Sequence, residues 1–199
     1  MDPALSMSYQ VKNVCKTAMH AIRKIGKIRQ YLDQAATIRL VHAFVTSRLD
    51  SCNSLLFGLS EREISKIQRV QNIAARLVAR TPRRAHITPV LHKLHWQPIR
   101  QRLAYKILLF VFKALNGLSP NYIIDMIQVY IPSRALRSAS TNRLKQVMPS
   151  TKTFGARSFL YAAAHLWNDI PVTLRHSITL NVFKSKLKTY LFKLHFDTP

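Results

Sequence analysis

PIRQRLAYKILLFVFKALNGLSP, residues 98–120, decides how the rest of the chain is read. Projected at about 100° per residue, Ile99, Leu103, Ala104, Ile107, Leu108, Phe110, Val111, Phe112, Ala114 and Leu115 cover more than half of a helix circumference. Arg102, Lys106 and Lys113 share the strip left over. A helix apolar over so wide an arc has to be packed on several sides. The stretch therefore predicts the central helix of a helical domain. Pro98 suits its start, and Asn116-Gly117 followed by Pro120 predicts a left-handed cap and a stop. The apolar run 107–112 is far shorter than the roughly 20 residues a membrane span needs. It reads as core.

Working outward, the 199 residues suffice for one sizeable core or a main domain with an appendage, and 48% hydrophobic content is that of a globular chain. Charge is the unusual feature. Lys and Arg number 31 against 8 Asp and Glu, a net +23. Such a chain resists its own compaction and attracts polyanions: nucleic acid, an anionic membrane surface or an acidic partner. Cys15 and Cys52 are too few and too far apart for a disulfide framework, and MDPALSMSYQVKN at the start has no uninterrupted apolar run of a secretory signal. Both features predict an intracellular protein, nuclear or cytoplasmic, with reduced thiols and no transmembrane segment.

Before the central stretch, residues 8–32 carry a helical stripe of Val11, Val14, Ala18, Ile22, Ile25 and Leu32, with Lys12, Lys16, Lys24 and Lys27 among the cations around it. Residues 34–57 predict one long helix with the seam Ile38, Val41, Val45, Leu49, Cys52 and Leu56. Ser60-x-x-Glu63 has the pattern of a capping box opening a third helix through Arg80. On that helix Arg62, Lys66, Arg69, Arg76 and Arg80 fall within an arc of about 80°, away from Ile64, Ile67, Ala74 and Val78. Cations at this spacing repel one another. A solvated face accounts for such a stripe about as well as a binding face does. Against the overall charge, and with Arg83 and Arg84 extending the stripe, contact with phosphates is the better account.

Residues 81–98 form a proline-punctuated connector. His86, His92 and His95 there lack the second ligand pair of a zinc site, and Trp96 reads as packing. Beyond Pro120 the pattern predicts a short helix to about residue 130, then a Ser/Thr/Arg/Pro-rich linker from 131 and a small hairpin within 144–154. A helix then follows Gly155 with Ala162-Ala163-Ala164 allowing close approach, and a last helix, 180–194, has Leu180, Phe183, Leu187, Tyr190, Leu191 and Leu194 on one side. The whole predicts a mainly α fold. Residues 1–130 would form a helical bundle, and 131–199 a small α extension that the hairpin would make α+β.

Two-metal nucleotidyl transfer needs clustered carboxylates. Asp2, Asp33, Asp50, Glu61, Glu63, Asp125, Asp169 and Asp197 are scattered singly, and the near pair Glu61 and Glu63 faces different ways at a helix start, where its negative charge is favourable. Asp50, beside Arg48, suggests local pairing. There is no phosphate-binding Gly loop, nucleophile elbow or supported Cys–His arrangement. No residue qualifies as catalytic, and no cofactor or metal site is indicated.

Several ordered blocks resemble one family. LVHAFVTSRLDSCNSLLFGL (40–59), IQRVQNIAARLV (67–78), HITPVLHKLHWQPI (86–99) and FKALNGLSPNYI (112–123), with LWNDIP (166–171) and FKSKLKTYLF (183–192), look like the C-terminal part of LINE-type non-LTR retrotransposon reverse transcriptases of the jockey and chicken-repeat clades. The resemblance spans the chain from Leu5 onward, and LSMSYQV (5–11) resembles the stretch just after the palm. It implies a thumb-like region followed by an extension. The polymerase aspartates and their magnesium would belong to an absent palm, itself a candidate partner. The parent activity, RNA-directed DNA polymerase, does not carry over to any residue here.

The expected function is sequence-independent binding of an RNA or DNA template–primer backbone. Arg62, Lys66, Arg69, Arg76, Arg80, Arg83 and Arg84 would contact phosphates, with Lys12, Lys16, Lys24 and Lys27 as a second basic face. Two alternatives stay open: a helical interaction module for an acidic partner, and a retroelement remnant without function.

Overall fold

The computed structural model describes residues 7–132, 142–149, 151 and 155–197. Among them the fold is mainly α, and the only β pairing is one isolated antiparallel bridge between Val129 and Leu144. Packing divides the chain into two compact units, Met1–Arg102 with Phe196–Pro199, and Leu103–His195. The compositional change near residue 131 marks a shift of sequence character inside the second unit.

In the first unit, α1 (Ser8–Ile28) buries Val11, Ala18, Ile22 and Ile25 of the expected stripe, while Val14 and Leu32 are half-buried, and passes into a 3₁₀ turn, Arg29–Tyr31. α2 (Gln34–Val41) starts on Asp33, whose Oδ1 accepts from the Ala36 N–H at 2.6 Å. The long helix expected over 34–57 is interrupted. A π-helical turn, His42–Thr46, leads into α3 (Ser47–Asp50), after which Cys52 turns left-handed at φ 52° and Asn53–Leu56 is a 3₁₀ turn. Asp50-Ser51-Cys52-Asn53 explains the break, because short polar side chains compete with the helical backbone. Asp50 accepts from Asn53 Nδ2 at 3.3 Å and from Arg102 Nε at 2.9 Å. Its partner is thus Arg102, fifty-two residues away, and not the neighbouring Arg48. The buried seam comprises Thr37, Val41, Val45, Leu49 and Leu56, while Cys52 is exposed.

α4 (Glu61–Ala79) packs on α1 and on α2, burying Ile64, Ile67, Val70, Ala74, Ala75 and Val78. The expected capping box does not form. Ser60 makes no side-chain cap, and the Glu63 carboxylate turns to Lys66 at 2.6 Å. Gln68, Gln71 and Asn72 form an amide cluster on α4. Gln71 donates to the Gln97 carbonyl at 2.8 Å, and Gln68 Oε1 accepts from the Ile99 N–H at 2.9 Å. These bonds fix the end of the connector, which carries α5 (Thr88–Lys93) and the buried Trp96, its ring 5.4 Å from that of His42.

In the second unit, α6 (Ile99–Leu115), whose first turn belongs to the first unit, buries Leu103, Ile107, Leu108, Val111, Phe112 and Ala114. Its end is as expected: Gly117 sits at φ 67°, with Leu118 N–H bonded to the Lys113 carbonyl and Gly117 N–H to that of Ala114. That pair of bonds is a Schellman motif. α7 (Asn121–Ile124) is one turn, shorter than the helix expected to residue 130, because the chain leaves it to bridge Val129 with Leu144. The predicted hairpin lies partly outside the described residues, at 150 and 152–154, and Leu144 pairs upstream instead. α8 (Phe159–Asp169) buries Ala162, Ala163, Ala164 and Trp167. α9 (Val172–Arg175) follows, and α10 (Leu180–Phe196) buries Phe183, Leu187 and Leu191. Phe183 stacks on Phe112 at 4.2 Å between ring centres, and Trp167 Nε1 donates to the Asn142 carbonyl at 2.8 Å.

Candidate nucleic-acid interface

Side by side, α1 and α4 leave an open groove of about 880 Å³. Its floor is apolar: Ile22 and Gly26 from α1, Ile73 and Leu77 from α4. Around it stand Arg29, Arg69, Asn72, Arg76, Arg80, Thr81 and Arg83. Among the described residues no carboxylate lines it. The stripe read from the sequence therefore has a concave counterpart, and the turn after α4 adds Arg83.

The predicted cations do not all share this place. Arg69, Arg76, Arg80 and Arg83 meet in the groove. Arg62 and Arg84 are exposed outside it. Lys66 is on the right helix, but its Nζ is 2.6 Å from Glu63, so a neighbouring acid offsets its charge. Lys12, Lys16, Lys24 and Lys27 are exposed along the flank of α1 away from Ile22 and Ile25, outside the groove.

Within the groove the arginines differ in freedom. Arg76 is half-buried and donates through Nη2 to the Ala85 carbonyl at 3.1 Å, which holds the connector against α4. Arg80 ends the helix in the left-handed conformation, φ 52°, and its Nη2 lies 3.4 Å from the Arg29 carbonyl. Arg69 and Arg83 are exposed. Arg29 is a wall residue that the periodicity gave no reason to single out. It is buried, and its guanidinium donates to the carbonyls of Leu77 (3.0 Å), Leu32 (2.7 Å) and Val78 (2.9 Å). Two of these belong to the last turn of α4, the negative end of that helix, so the charge of Arg29 is spent on structure.

Five carboxylates are engaged elsewhere. Asp33 caps α2, Asp50 holds Arg102, Glu61 pairs with Arg100, Glu63 with Lys66, and Asp169 with His165 at 3.0 Å. Among the described residues no three His, Cys, Asp or Glu side chains are placed to hold one metal ion, and no helix is long and apolar enough to cross a membrane. His92 and His95 stand with ring centres 6.4 Å apart.

The apolar lining has two signals in the sequence that helical periodicity alone does not single out: Gly26 inside α1, and Ile73 on the basic side of α4. No protein-family profile, curated protein or solved structure matches this chain.

Proposed function

We propose that this chain binds nucleic acid through the sugar–phosphate backbone, independently of base sequence, and that the α1–α4 groove is the contact surface. The observation that carries the reading is the convergence of Arg69, Arg76, Arg80 and Arg83 on one open concavity that, among the described residues, no carboxylate lines. Guanidinium groups so placed recruit phosphates and release counterions, which makes binding fall steeply with salt. The resemblance to the thumb and downstream part of LINE-type reverse transcriptases supports the same role, a grip on template and primer without polymerase chemistry.

The test is a salt titration of binding to a labelled RNA–DNA hybrid. Arg69→Glu with Arg83→Glu is the informative variant, because neither side chain caps a helix or ties the connector. Lys24→Glu with Lys27→Glu on the outer flank of α1 changes net charge equally. The groove pair should flatten the dependence of log affinity on log salt by about one unit per arginine, and the flank pair by clearly less. Equal effects would mean that overall charge, and not the groove, drives binding.

A further inference from the structure

The groove is only partly a phosphate surface. Among its arginines lies aliphatic surface, and Ile73 there is 39% exposed. Packing does not demand a glycine at Gly26. A Cβ at Gly26 would meet Leu77 Cδ1 at 3.9 Å, an ordinary contact, and no positive φ calls for glycine. Glycine in a helix interior is less favourable than alanine. What its missing side chain leaves is open space beside Leu77.

A duplex can meet the arginines with its phosphates but leaves that apolar surface unused, because it presents phosphates and sugars outward and keeps its base faces stacked inside. An unpaired strand can do both things at once. Its bases splay out to cover apolar surface and guanidinium planes while the flanking phosphates stay at the rim. Arg76, fixed by the Ala85 carbonyl, offers one such plane beside the floor.

We propose that the groove selects single-stranded nucleic acid, seating an unpaired base over Ile22, Gly26, Ile73 and Leu77 while Arg69, Arg80 and Arg83 hold the flanking phosphates. This rests on the nucleic-acid reading above and adds the form of the strand. Charge density alone favours duplex, whose phosphates are more closely spaced along its axis. A single-strand preference therefore has to come from the floor.

Fluorescence anisotropy of the full chain at fixed ionic strength tests it with three probes of equal length: oligodeoxythymidylate, its duplex with oligodeoxyadenylate, and an abasic strand. The expected order is a single strand about fivefold tighter than the abasic strand, from apolar area covered by the base, and tighter than the duplex. Gly26→Leu fills the floor without changing charge. It should bring single-strand affinity down to that of the abasic strand. Equal affinity for all three probes overturns the base seat while backbone binding stands, and needs no variant. A Gly26→Leu chain that folds by circular dichroism and keeps the preference overturns it too. Displacement of the strand by poly-L-glutamate at equal charge concentration would make the groove a general acidic-polymer face. Failure to bind any probe overturns the backbone reading together with this one.

Discussion

Replacing Arg29 by methionine removes three donors while retaining most of the apolar stem. In the folded chain the guanidinium serves the carbonyls of Leu77 and Val78 at the end of α4 and that of Leu32 beyond the 3₁₀ turn, all within 3.0 Å. Hydrogen bonds from a charged donor contribute about 1.5–3 kcal/mol each before desolvation of the ion is counted, and a cation at a partly buried helix C-terminus adds up to about 2 kcal/mol. Arg29 is 9% exposed, so its desolvation is a real opposing cost, and losing one positive charge from a chain of +23 relieves some repulsion. The net loss should be about 2–4 kcal/mol. Lysine, a point donor without the planar fork, should recover less than half of it. Urea denaturation followed by circular dichroism reads the difference as a shift of midpoint at constant slope. A loss below about 0.5 kcal/mol for Arg29→Met would refute the claim that this side chain caps α4. At temperatures well below unfolding, the same variant should bind nucleic acid almost as the parent does, since this charge is already directed at carbonyls.

Arg175 presents the opposite case. It is 5% exposed, its Nε and Nη1 have no hydrogen-bond partner among the described residues, and burial followed by the Arg143 charge pushes its pKa down. Arg175→Met should therefore be neutral or raise stability by up to about 2 kcal/mol in the same urea assay, and a loss above about 1 kcal/mol would contradict that reading. Cys15 is half-buried and its pKa is raised, chiefly by burial, with Lys66 opposing and Glu63 assisting; Cys52 is exposed. At neutral pH an alkylating reagent should label Cys52 first, with Cys15 protected until unfolding, as peptide mapping would show. Because the folded chain favours the Cys15 thiol, its contribution to stability is complete below the ordinary thiol pKa of about 8.5 and fades as pH rises through the higher folded value. Cys15→Ala should reduce the alkaline loss of stability, and an unchanged pH profile would discard this contribution.

Local order was legible wherever one short window held all the determinants. The arc of α6 and its Asn116-Gly117 stop both lie within such a window, and so does the basic stripe of α4. The pairing of Lys66 with Glu63 was also within reach, being one helical turn apart. What escaped depends on residues brought together from afar. Asp50 meets Arg102 only after α4 and the connector have turned the chain back, and Arg29 meets Leu77 and Val78 only once α1 docks. The expected continuous helix over 34–57 failed because its apolar seam carries across residues 50–53, whose short polar side chains favour a break. Similarly, Ser60 and Glu63 satisfy a capping pattern that the nearby lysine outcompetes.

The π-helical turn at His42–Thr46 has a bearing on how this chain tolerates changes of length. Val41, Val45 and Leu49 are all buried, yet they are spaced four residues apart. On an ordinary helix, at about 100° per residue, two such steps carry Leu49 about 80° off the line through Val41. The wider turn absorbs one residue more than an α-helix would use and returns Leu49 to the interior. Removing a single residue inside that turn would leave Val41 and Leu49 seven apart, only about 20° out of line on an ordinary helix. The segment thus holds a spare residue, a place where a deletion can be taken up locally without sliding the rest of the sequence out of phase with the core.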